Sequence, residues 1–528
     1  MQPILGSTLH TMRFPRPTIR LSARFPAWFT LTGALALAAL APATAANTEG
    51  LRIVAWNVSN YGGGRVAAIQ TSVYGEFEGR SLAPDAFLLQ EMMSAGGVAQ
   101  FAQALNNAPG SPGDWAAAPF IDGNDTDNGF VYRTSKLILL DTLVIAQGGP
   151  APNHPRDVNR YDVQLVGYAS EEATISLYST HMKAGSGSSD KQRRLLEAQH
   201  IRADADALPD GRHFILGGDF NIQSSFQQAY IELTLDRVGD SGRFRDPIAT
   251  PGSWNNNSSF RFVHTQDPAG GGGMDDRLDQ VLIAYTLTDG DGLDYIGDPT
   301  TPYATDTWDD PLHSYRSWGN DGTSYNTTLR IAGNTMVGPD IATALVTMAA
   351  GLGHLPVFLD LRVPARITAD PLLDFGLLTV GDIATQTITI GNTGDTTLWG
   401  PEGIGQLNYT LDTPAPYDAP AGPHQDDAGG PLNEHTVTLD TSAVGYFEAI
   451  MSIPSNDPEA PMLEVTLRGN ILAKCPADWD GDGILDTLDF LDFLNDWTAD
   501  NPHADLNADG SVNILDFLAY LGFWSTGC

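Results

Sequence analysis

Basic residues are scarce in this chain of 528 residues, in which 28 Lys and Arg stand against 64 Asp and Glu. The formal net charge of −36 excludes binding of nucleic acid by bulk charge, because such binding needs many Lys and Arg side chains against the phosphates. A polyanionic substrate would have to be held locally, by a metal ion or by a few arginines. Cysteine is rarer still, with two residues, which excludes a fold held together by many disulfides.

Long apolar runs are missing after residue 41, so the sequence predicts no transmembrane helix. The one such run, residues 27–41, follows four arginines and precedes Ala43-Thr44-Ala45. A basic flank, a short apolar segment and a small-residue site are typical of a cleaved export signal. We therefore expect residues 1–46 to be a signal peptide and the mature bacterial protein to be secreted, to the periplasm or the extracellular space.

From residue 47 to residue 365, apolar stretches of strand length alternate with helical or loop stretches, and residues 188–208 have the pattern of an amphipathic helix. Many strands with helices between them predict an α/β (α+β) domain in which helices cover a large mixed sheet system. Residues 286–339 lack periodicity and are either functional or poorly ordered. The predicted strands are residues 52–58, 86–91, 130–140, 161–168, 174–181, 214–220, 260–265, 278–285 and 355–363.

The sequence HFILGGDFN at residues 213–221 has the clearest pattern in this domain. Its apolar part predicts a buried strand, and Asp219 and Asn221, two residues apart, point the same way in an extended backbone. A polar cluster at the end of a buried strand is usually a functional site, because an unpaired buried charge is costly. Other predicted strands also begin or end in polar residues, namely Asn57, Glu91, His181, Asp279 and His354.

Taken in order, these residues resemble the motifs of the endonuclease/exonuclease/phosphatase family. That family includes pancreatic-type deoxyribonucleases, abasic-site endonucleases, neutral sphingomyelinases and inositol-polyphosphate phosphatases. The resemblance spans residues 51–363, and Gly-Asp-Phe-Asn is its strongest element. It implies a four-layer sandwich of two sheets between helices. It also implies hydrolysis of a phosphoester by in-line attack of water, assisted by Mg²⁺ or Mn²⁺.

The resemblance implies a role for each polar residue. Glu91 would bind the Mg²⁺ or Mn²⁺, which prefers hard oxygen ligands. Asn57 and Asn221 are neutral, so they would donate to phosphate oxygens without adding repulsive charge.

Four further residues would handle the protons of the reaction. His354 would be the base for the attacking water, with Asp279 holding its ring in the right tautomer. Asp219 would orient that water or help to deprotonate it. His181 would donate to the phosphate or protonate the leaving oxygen.

The chain departs from the family pattern at one position, because Leu-Gly353-His stands where the family usually has Ser-Asp-His. The missing acid normally contributes to a second metal position or steadies the charge of the site. Asp275 and Asp276 are candidates to replace it. Otherwise the site works with one metal, or its activity is reduced, or this copy is degenerate.

Five basic residues follow His181 and form a modest basic cluster. They either steer a phosphorylated substrate or, more in keeping with their helical context, form a solvated helix face. The cluster consists of Lys183, Lys191, Arg193, Arg194 and Arg202.

Residues 366–473 change in character, with short alternating strands bounded by Pro, Asp and Gly. This spacing predicts an all-β sandwich of immunoglobulin size. It resembles the immunoglobulin-like modules found beside exported bacterial enzymes, and we expect a spacer or a binding module.

Residues 474–528 contain a duplicated acidic loop, each copy followed by an apolar helix. Acids and amides fall at loop positions 1, 3, 5, 9 and 12 with Gly at 6, the oxygen-ligand spacing of calcium loops of the EF-hand type. The arrangement resembles a dockerin, a small α domain, and implies Ca²⁺ and a cohesin-like or cell-surface partner. The ligands are Asp478, Asp480, Asp482, Asp486 and Asp489 in one loop, and Asp505, Asn507, Asp509, Asn513 and Asp516 in the other.

Cys475 and Cys528 lie at the two ends of this last module. In an exported chain a pair of cysteines placed in this way predicts a disulfide bond.

The features together predict an exported, metal-dependent phosphodiesterase. An endonuclease acting on DNA or RNA is favoured over a sphingomyelinase-like or small-molecule phosphoesterase, because no apolar ridge for a lipid is evident near the site. A non-catalytic surface or scaffold protein with a degenerate first domain is the alternative of another class, and Gly353 is the feature that favours it.

Overall fold

The computed structural model describes residues 50–123, 127–150, 154–351 and 353–527. The predicted signal peptide lies outside these residues. The predicted disulfide does too, because Cys528 is not among them. Within the described residues no helix is long and apolar enough to cross a membrane.

Two mixed sheets and five helices are built by the described residues up to Arg362. The helices are α1 (Val66–Tyr74), α2 (Ala95–Asn106), α3 (Ser188–Asp206), α4 (Gln228–Thr234) and α5 (Gly338–Ala349). The strands are β1 (Leu51–Tyr61), β2 (Ala86–Met92), β3 (Trp115–Ala117), β4 (Asp127–Arg133), β5 (Leu137–Ala146), β6 (Val158–Leu165), β7 (Thr174–His181), β8 (His213–Asp219), β9 (Phe244–Arg245), β10 (Asp279–Ala284), β11 (Asp294–Tyr295), β12 (Arg316–Ser317) and β13 (Val357–Arg362).

The strand order places β1 and β8 near the centres of their sheets. One sheet has seven strands in the order β11-β13-β1-β2-β4-β3, with β12 also paired to β13. The other has six strands in the order β5-β6-β7-β8-β10-β9. Parallel pairs, β1 with β2 and β7 with β8, lie beside antiparallel ones.

The alternation of side chains along β1 shows how the layers stack. Ile53 and Ala55 belong to the core between the two sheets, whereas Val54 and Trp56 belong to the core under α1, α2 and α5. On the other side, Ala198 of α3 packs with strands of the six-stranded sheet. Helices therefore cover both outer faces of two packed mixed sheets, and the layered α/β class predicted from the sequence is confirmed.

The structure corrects two of the predicted strands. Residues 130–140 form parts of two strands, β4 and β5, joined by a turn. Residues 260–265 form no strand, because a 3-10 turn at Ser258–Phe260 opens the segment and Val263 N donates to Phe260 O. Residues 286–339 are described throughout and contribute β11 and β12.

Residues 365–472 form a further β structure around a core of their own. A four-stranded sheet (β14-β16-β20-β18) and a three-stranded sheet (β15-β22-β21) share that core. The immunoglobulin-like assignment stays a prediction. The elements are β14 (Ile367–Ala369), β15 (Leu372–Thr379), β16 (Ala384–Asn392), α6 (Thr396–Trp399), β17 (Leu407–Tyr409), β18 (Tyr417–Asp418), β19 (His424–Asp426), β20 (Asn433–Leu439), β21 (Gly445–Pro454) and β22 (Met462–Leu472).

This β structure is packed closely against the preceding sheets. Trp399, 1% exposed, belongs to the same hydrophobic cluster as residues of those sheets, and the Lys136 ammonium lies 5.0 Å from its ring centroid. The Glu459 carboxylate accepts hydrogen bonds from the backbone N–H groups of Ala169 (2.7 Å) and Ser170 (2.8 Å). These contacts pack the β structure against the preceding sheets, whereas a spacer only needs to keep two modules apart.

The last described residues form two helices, α7 (Thr487–Thr498) and α8 (Ile514–Thr526), around a small aromatic core. Both helices begin with a capping box, at Asp486 with Asp489 and at Asn513 with Asp516. The predicted duplication is thus visible in the caps of the two helices, while the dockerin assignment stays a prediction.

Candidate active site

The strand register brings the predicted site residues together at the ends of central strands in the two sheets. In the seven-stranded sheet Asn57 lies opposite Gln90, next to Glu91. In the six-stranded sheet Asp219 lies opposite both His181 and Asp279. Binding and catalytic sites in layered sheet folds usually lie at strand ends, where these residues are found.

The Asp219 carboxylate is the centre of the site and is 2% exposed. Its Oδ2 lies 3.2 Å from Asn57 Nδ2, 3.4 Å from His181 Nε2 and 3.6 Å from His354 Nε2. Its Oδ1 accepts a hydrogen bond of 3.0 Å from Asn221 N. One carboxylate oxygen therefore faces two imidazoles and an amide.

His354 and Asp279 form a buried pair. His354 Nδ1 lies 2.6 Å from Asp279 Oδ2, and this bond directs His354 Nε2 toward Asp219. Burial lowers the pKa of His354, but the charges of Asp279 and Asp219 outweigh it and raise the pKa to about 10. At neutral pH without a metal ion this ring is a proton donor, and Asp279 holds it in place as the resemblance implies.

Glu91 lies beside Asp219 and is linked to it through one amide. Asn57 Nδ2 donates to Glu91 Oε1 (3.1 Å) as well as to Asp219, and Asn60 N donates to Glu91 Oε2 (2.9 Å). Asn221 Nδ2 donates to Met182 O (3.0 Å). Asn57 Nδ2 thus donates to two carboxylates, so its donation to a phosphate would require it to exchange a partner. The Asn221 amide has a second N–H besides the one given to Met182 O.

The oxygen donors of this site fit a hard divalent cation. Ligand atoms of Asp219, Asp279 and His354 lie within 4.8 Å of one another. Asp279 Oδ2 and His354 Nδ1 are already joined at hydrogen-bond distance. Glu91, whose Oε1 shares the Asn57 Nδ2 donor with Asp219 Oδ2, is therefore the carboxylate that could hold such an ion. The Glu91 side chain remains 19% exposed and so faces the opening of the site. Carboxylate oxygens with room for water are what Mg²⁺ and Mn²⁺ prefer.

Gly353 occupies a place where no side chain fits. A Cβ at this position would overlap Ala349 O, Ala349 Cα and Ser59 Oγ. The absent family acid therefore coincides with close packing of the end of α5 against β1. Near His354, burial and the charges of Asp275 and then Asp267 raise the pKa of Asp276 to about 6.

The predicted basic cluster is divided between surface and interior. Lys191 is exposed and Lys183 half-buried, whereas Arg193, Arg194 and Arg202 are buried. Arg193 donates to His154 O, Arg194 to Gly185 O, and Arg202 to Leu233 O and to the Asp240 carboxylate. The structure contradicts both the phosphate-steering and the solvated-face interpretations of these three arginines. They tie neighbouring loops and the last turn of α4 to α3.

Sequence reasoning missed two residues that contact the His354–Asp279 pair. Thr265 Oγ1 donates to Asp279 Oδ2 (2.6 Å), and Gln266 Nε2 lies 3.5 Å from His354 Nε2. Thr265 ends the segment predicted as a strand, residues 260–265, and Gln266 follows it. No local signal in the sequence shows that a threonine will donate a hydrogen bond to an aspartate from another part of the chain.

No protein-family model and no curated protein matches the chain. Among solved structures it is similar to TDP2 from D. rerio complexed with single strand DNA product, at 13% identity over 59% of this chain and 99% of that chain, with a TM-score of 0.35. It is also similar to an endonuclease/exonuclease/phosphatase from Beutenbergia cavernae DSM 12333, at 13% identity over 80% and 100%, with a TM-score of 0.32. It is similar as well to the human nocturnin catalytic domain with bound sulfate anion, at 10% identity over 59% of this chain and 93% of that chain, with a TM-score of 0.33. At these identities the chemistry of the site is inferred from its geometry alone.

Proposed function

We propose that this protein is a metal-dependent hydrolase of phosphodiesters. The observation that carries the proposal is the buried Asp219 carboxylate, whose Oδ2 faces both His181 Nε2 (3.4 Å) and His354 Nε2 (3.6 Å) beside Glu91. A proton acceptor between two potential proton donors, next to a ligand for a cation, is the set that cleavage of a phosphodiester by water requires.

The proposed proton transfers involve Asp219 and one of two histidines. Asp219 Oδ2 accepts a proton from the attacking water, whose oxygen forms a bond to phosphorus. The bond from phosphorus to the leaving oxygen breaks, its electron pair stays on that oxygen, and an imidazole Nε2–H of His181 or His354 protonates it. Water and diester become an alcohol and a phosphomonoester. A divalent ion bound at Glu91 would supply positive charge against the phosphate oxygens.

This division of roles differs from the one that the resemblance implies. There His354 is the base, whereas here its Nδ1 is held by Asp279 and its Nε2 faces the Asp219 carboxylate. We assign the base to Asp219 on that geometry. Cleavage of DNA or RNA by an endonuclease, the reaction that the sequence favours, would use the same proton transfers.

The C-terminal loops are proposed as Ca²⁺ sites within residues 474–528, following sandwich residues 366–473 and catalytic residues 47–365. In the first loop, ligand atoms of Asp478, Asp480 and Asp489 lie within 4.8 Å of one another. Asp478 Oδ1 is buried and has no hydrogen-bond partner, as a ligand awaiting a cation would. A cohesin-like or cell-surface partner for this module and export by residues 1–46 complete the proposal.

The test is hydrolysis of bis(p-nitrophenyl) phosphate by purified protein, with EDTA or with added Mg²⁺ or Mn²⁺. We expect Asp219→Asn to lower the rate by at least ~10²-fold, the scale of losing a general base, and Glu91→Gln to weaken activation by the metal. His200→Gln, at an exposed position of α3, is the matched control and should leave the rate unchanged. Folded Asp219→Asn protein with wild-type turnover would remove the catalytic assignment.

A further inference from the structure

The end of β7 carries His181 into the site, and the chain continues from there to Lys183. The neighbouring strand fixes the first part of this segment, because His181 lies opposite Asp219 and Met182 N donates to Asp219 O (2.9 Å). The Asn221 amide donates to Met182 O (3.0 Å). The paired register with β8 ends at His181, so the backbone N–H groups that follow need partners elsewhere.

Glu197, on α3, is the partner of the next backbone N–H. Its side chain is 0% exposed, and its carboxylate accepts hydrogen bonds from Lys183 N at Oε2 (3.2 Å) and from Arg156 N at Oε1 (2.6 Å). A buried carboxylate is costly unless its oxygens are hydrogen-bonded, and here each oxygen has a backbone donor. Burial raises the pKa of Glu197 to about 7, although these two hydrogen bonds oppose the shift. Glu197 therefore joins the segment after β7 to the loop before β6.

Arg156, in the loop before β6, contacts the same segment with its side chain. Its backbone N–H donates to the Glu197 carboxylate, and its Nη1 lies 3.4 Å from both His181 O and Met182 O. The residues just before it are also tied to α3, through hydrogen bonds that Arg193 donates to their carbonyl oxygens. The backbone around His181 is therefore held by α3 and by this loop together.

We propose that Glu197 is a positioning residue of the site: it fixes the backbone after β7 and so holds the His181 imidazole against the Asp219 carboxylate, where His181 Nε2 lies 3.4 Å from Asp219 Oδ2. The proposal rests on the proposed phosphodiesterase function. Glu197 itself does not touch the reacting atoms in this proposal, since both of its oxygens are occupied by backbone N–H groups.

The first experiment measures kcat/KM for bis(p-nitrophenyl) phosphate at a pH above the pKa of Glu197, where its carboxylate is ionised. Glu197→Gln keeps the size of the side chain but leaves one acceptor oxygen and turns an NH₂ group toward the other backbone N–H. We expect kcat/KM to fall by at least ~10-fold, less than the ~10²-fold scale of losing a general acid outright. Glu76→Gln makes the same change at an exposed position and should leave kcat/KM unchanged.

A double-mutant cycle separates positioning of His181 from a purely structural role. If Glu197 acts through His181, Glu197→Gln should lower kcat/KM by no more than ~2-fold once His181 is already replaced by Gln, which is the scatter expected of independent sites. A variant that only loses folded protein would lower kcat/KM by the same factor with and without His181. Equal factors in the two backgrounds would overturn the proposal.

A second measurement does not depend on turnover. Hydrogen–deuterium exchange followed by mass spectrometry reports the backbone N–H groups of Lys183 and Arg156, and both should exchange faster in folded Glu197→Gln than in the wild type. Glu76→Gln should leave their exchange unchanged. If the wild type hydrolyses no phosphodiester, the proposed function fails, while faster exchange in Glu197→Gln still supports the role of Glu197 in holding this segment. Unchanged exchange together with wild-type kcat/KM for Glu197→Gln would overturn the proposal.

Discussion

Replacing Gly353 by Asp restores the acid of the family motif, and the structure predicts that this harms the protein. Any Cβ here overlaps the backbone of Ala349 and Ser59 Oγ. Overpacking commonly costs about 1–3 kcal/mol where side chains can move aside. Because Ala349 contributes backbone atoms at the end of α5, we expect a loss at or above the upper end, about 3 kcal/mol. Hydrolysis should fall or stay level, with no change in the number of metal equivalents needed.

Thermal unfolding and a rate measurement across a Mg²⁺ and Mn²⁺ titration decide the matter. A loss of this size lowers Tm by roughly 4–5 °C in a domain of this length, because the entropy of unfolding grows with the number of residues. Gly353→Ala separates steric overlap from charge and should lose most of the same stability. Gly96→Ala is the control, since its Cβ would meet only Ser94 Oγ at 3.7 Å. Wild-type Tm and a raised rate for Gly353→Asp would refute the steric reasoning and restore the idea of a missing ligand.

Three further predictions concern other parts of the chain. Trp399→Ala should lower the free energy of unfolding by about 3–5 kcal/mol in urea titrations and reduce hydrolysis with it, because Trp399 is buried in the hydrophobic cluster that includes residues of both sheets. An unchanged midpoint would mean that the sandwich is only a spacer. Asp482→Ala together with Asp509→Ala should abolish Ca²⁺ binding measured by calorimetry on the whole protein and leave phosphodiester hydrolysis intact; Ca²⁺ binding retained by this double variant would disprove the assignment of the loops. Burial lowers the pKa of His213 to about 4, so its stabilising neutral form is present above pH 6.5 and is lost as pH falls through 4, a change of about 3 kcal/mol. His213→Gln should flatten that part of the stability–pH curve, and a curve as steep as the wild type would contradict the assignment.

The strands that carry the site could be predicted because their apolar runs are long and end in polar residues. The prediction for residues 174–181 matches β7, and that for residues 214–220 differs from β8 by one residue at each end. Since β7 and β8 are parallel neighbours, His181 and Asp219 meet without any special turn. Placement at strand ends was therefore enough to bring most of the site together.

The arginines of α3 show where sequence reasoning stopped. Their spacing is typical of a solvated helix, yet Arg194 is fully buried and donates to carbonyl oxygens of the loop after β7. A guanidinium has five N–H donors, so loop carbonyls can satisfy it as well as water does. Which carbonyls lie within reach is decided by the tertiary packing of the loops, and no periodicity in the helix encodes it.

The charges at the site support the proposed cation, although Gly353 brings no acid. Asp219 and Asp279 are buried carboxylates, and Glu91 is linked to Asp219 through Asn57. His354 offsets one of these three negative charges when its ring is protonated. The remaining negative charge is costly in a buried setting unless an ion balances it. A fourth carboxylate at position 353 would have increased that cost, so the close packing at Gly353 is compatible with a site built for a single divalent ion.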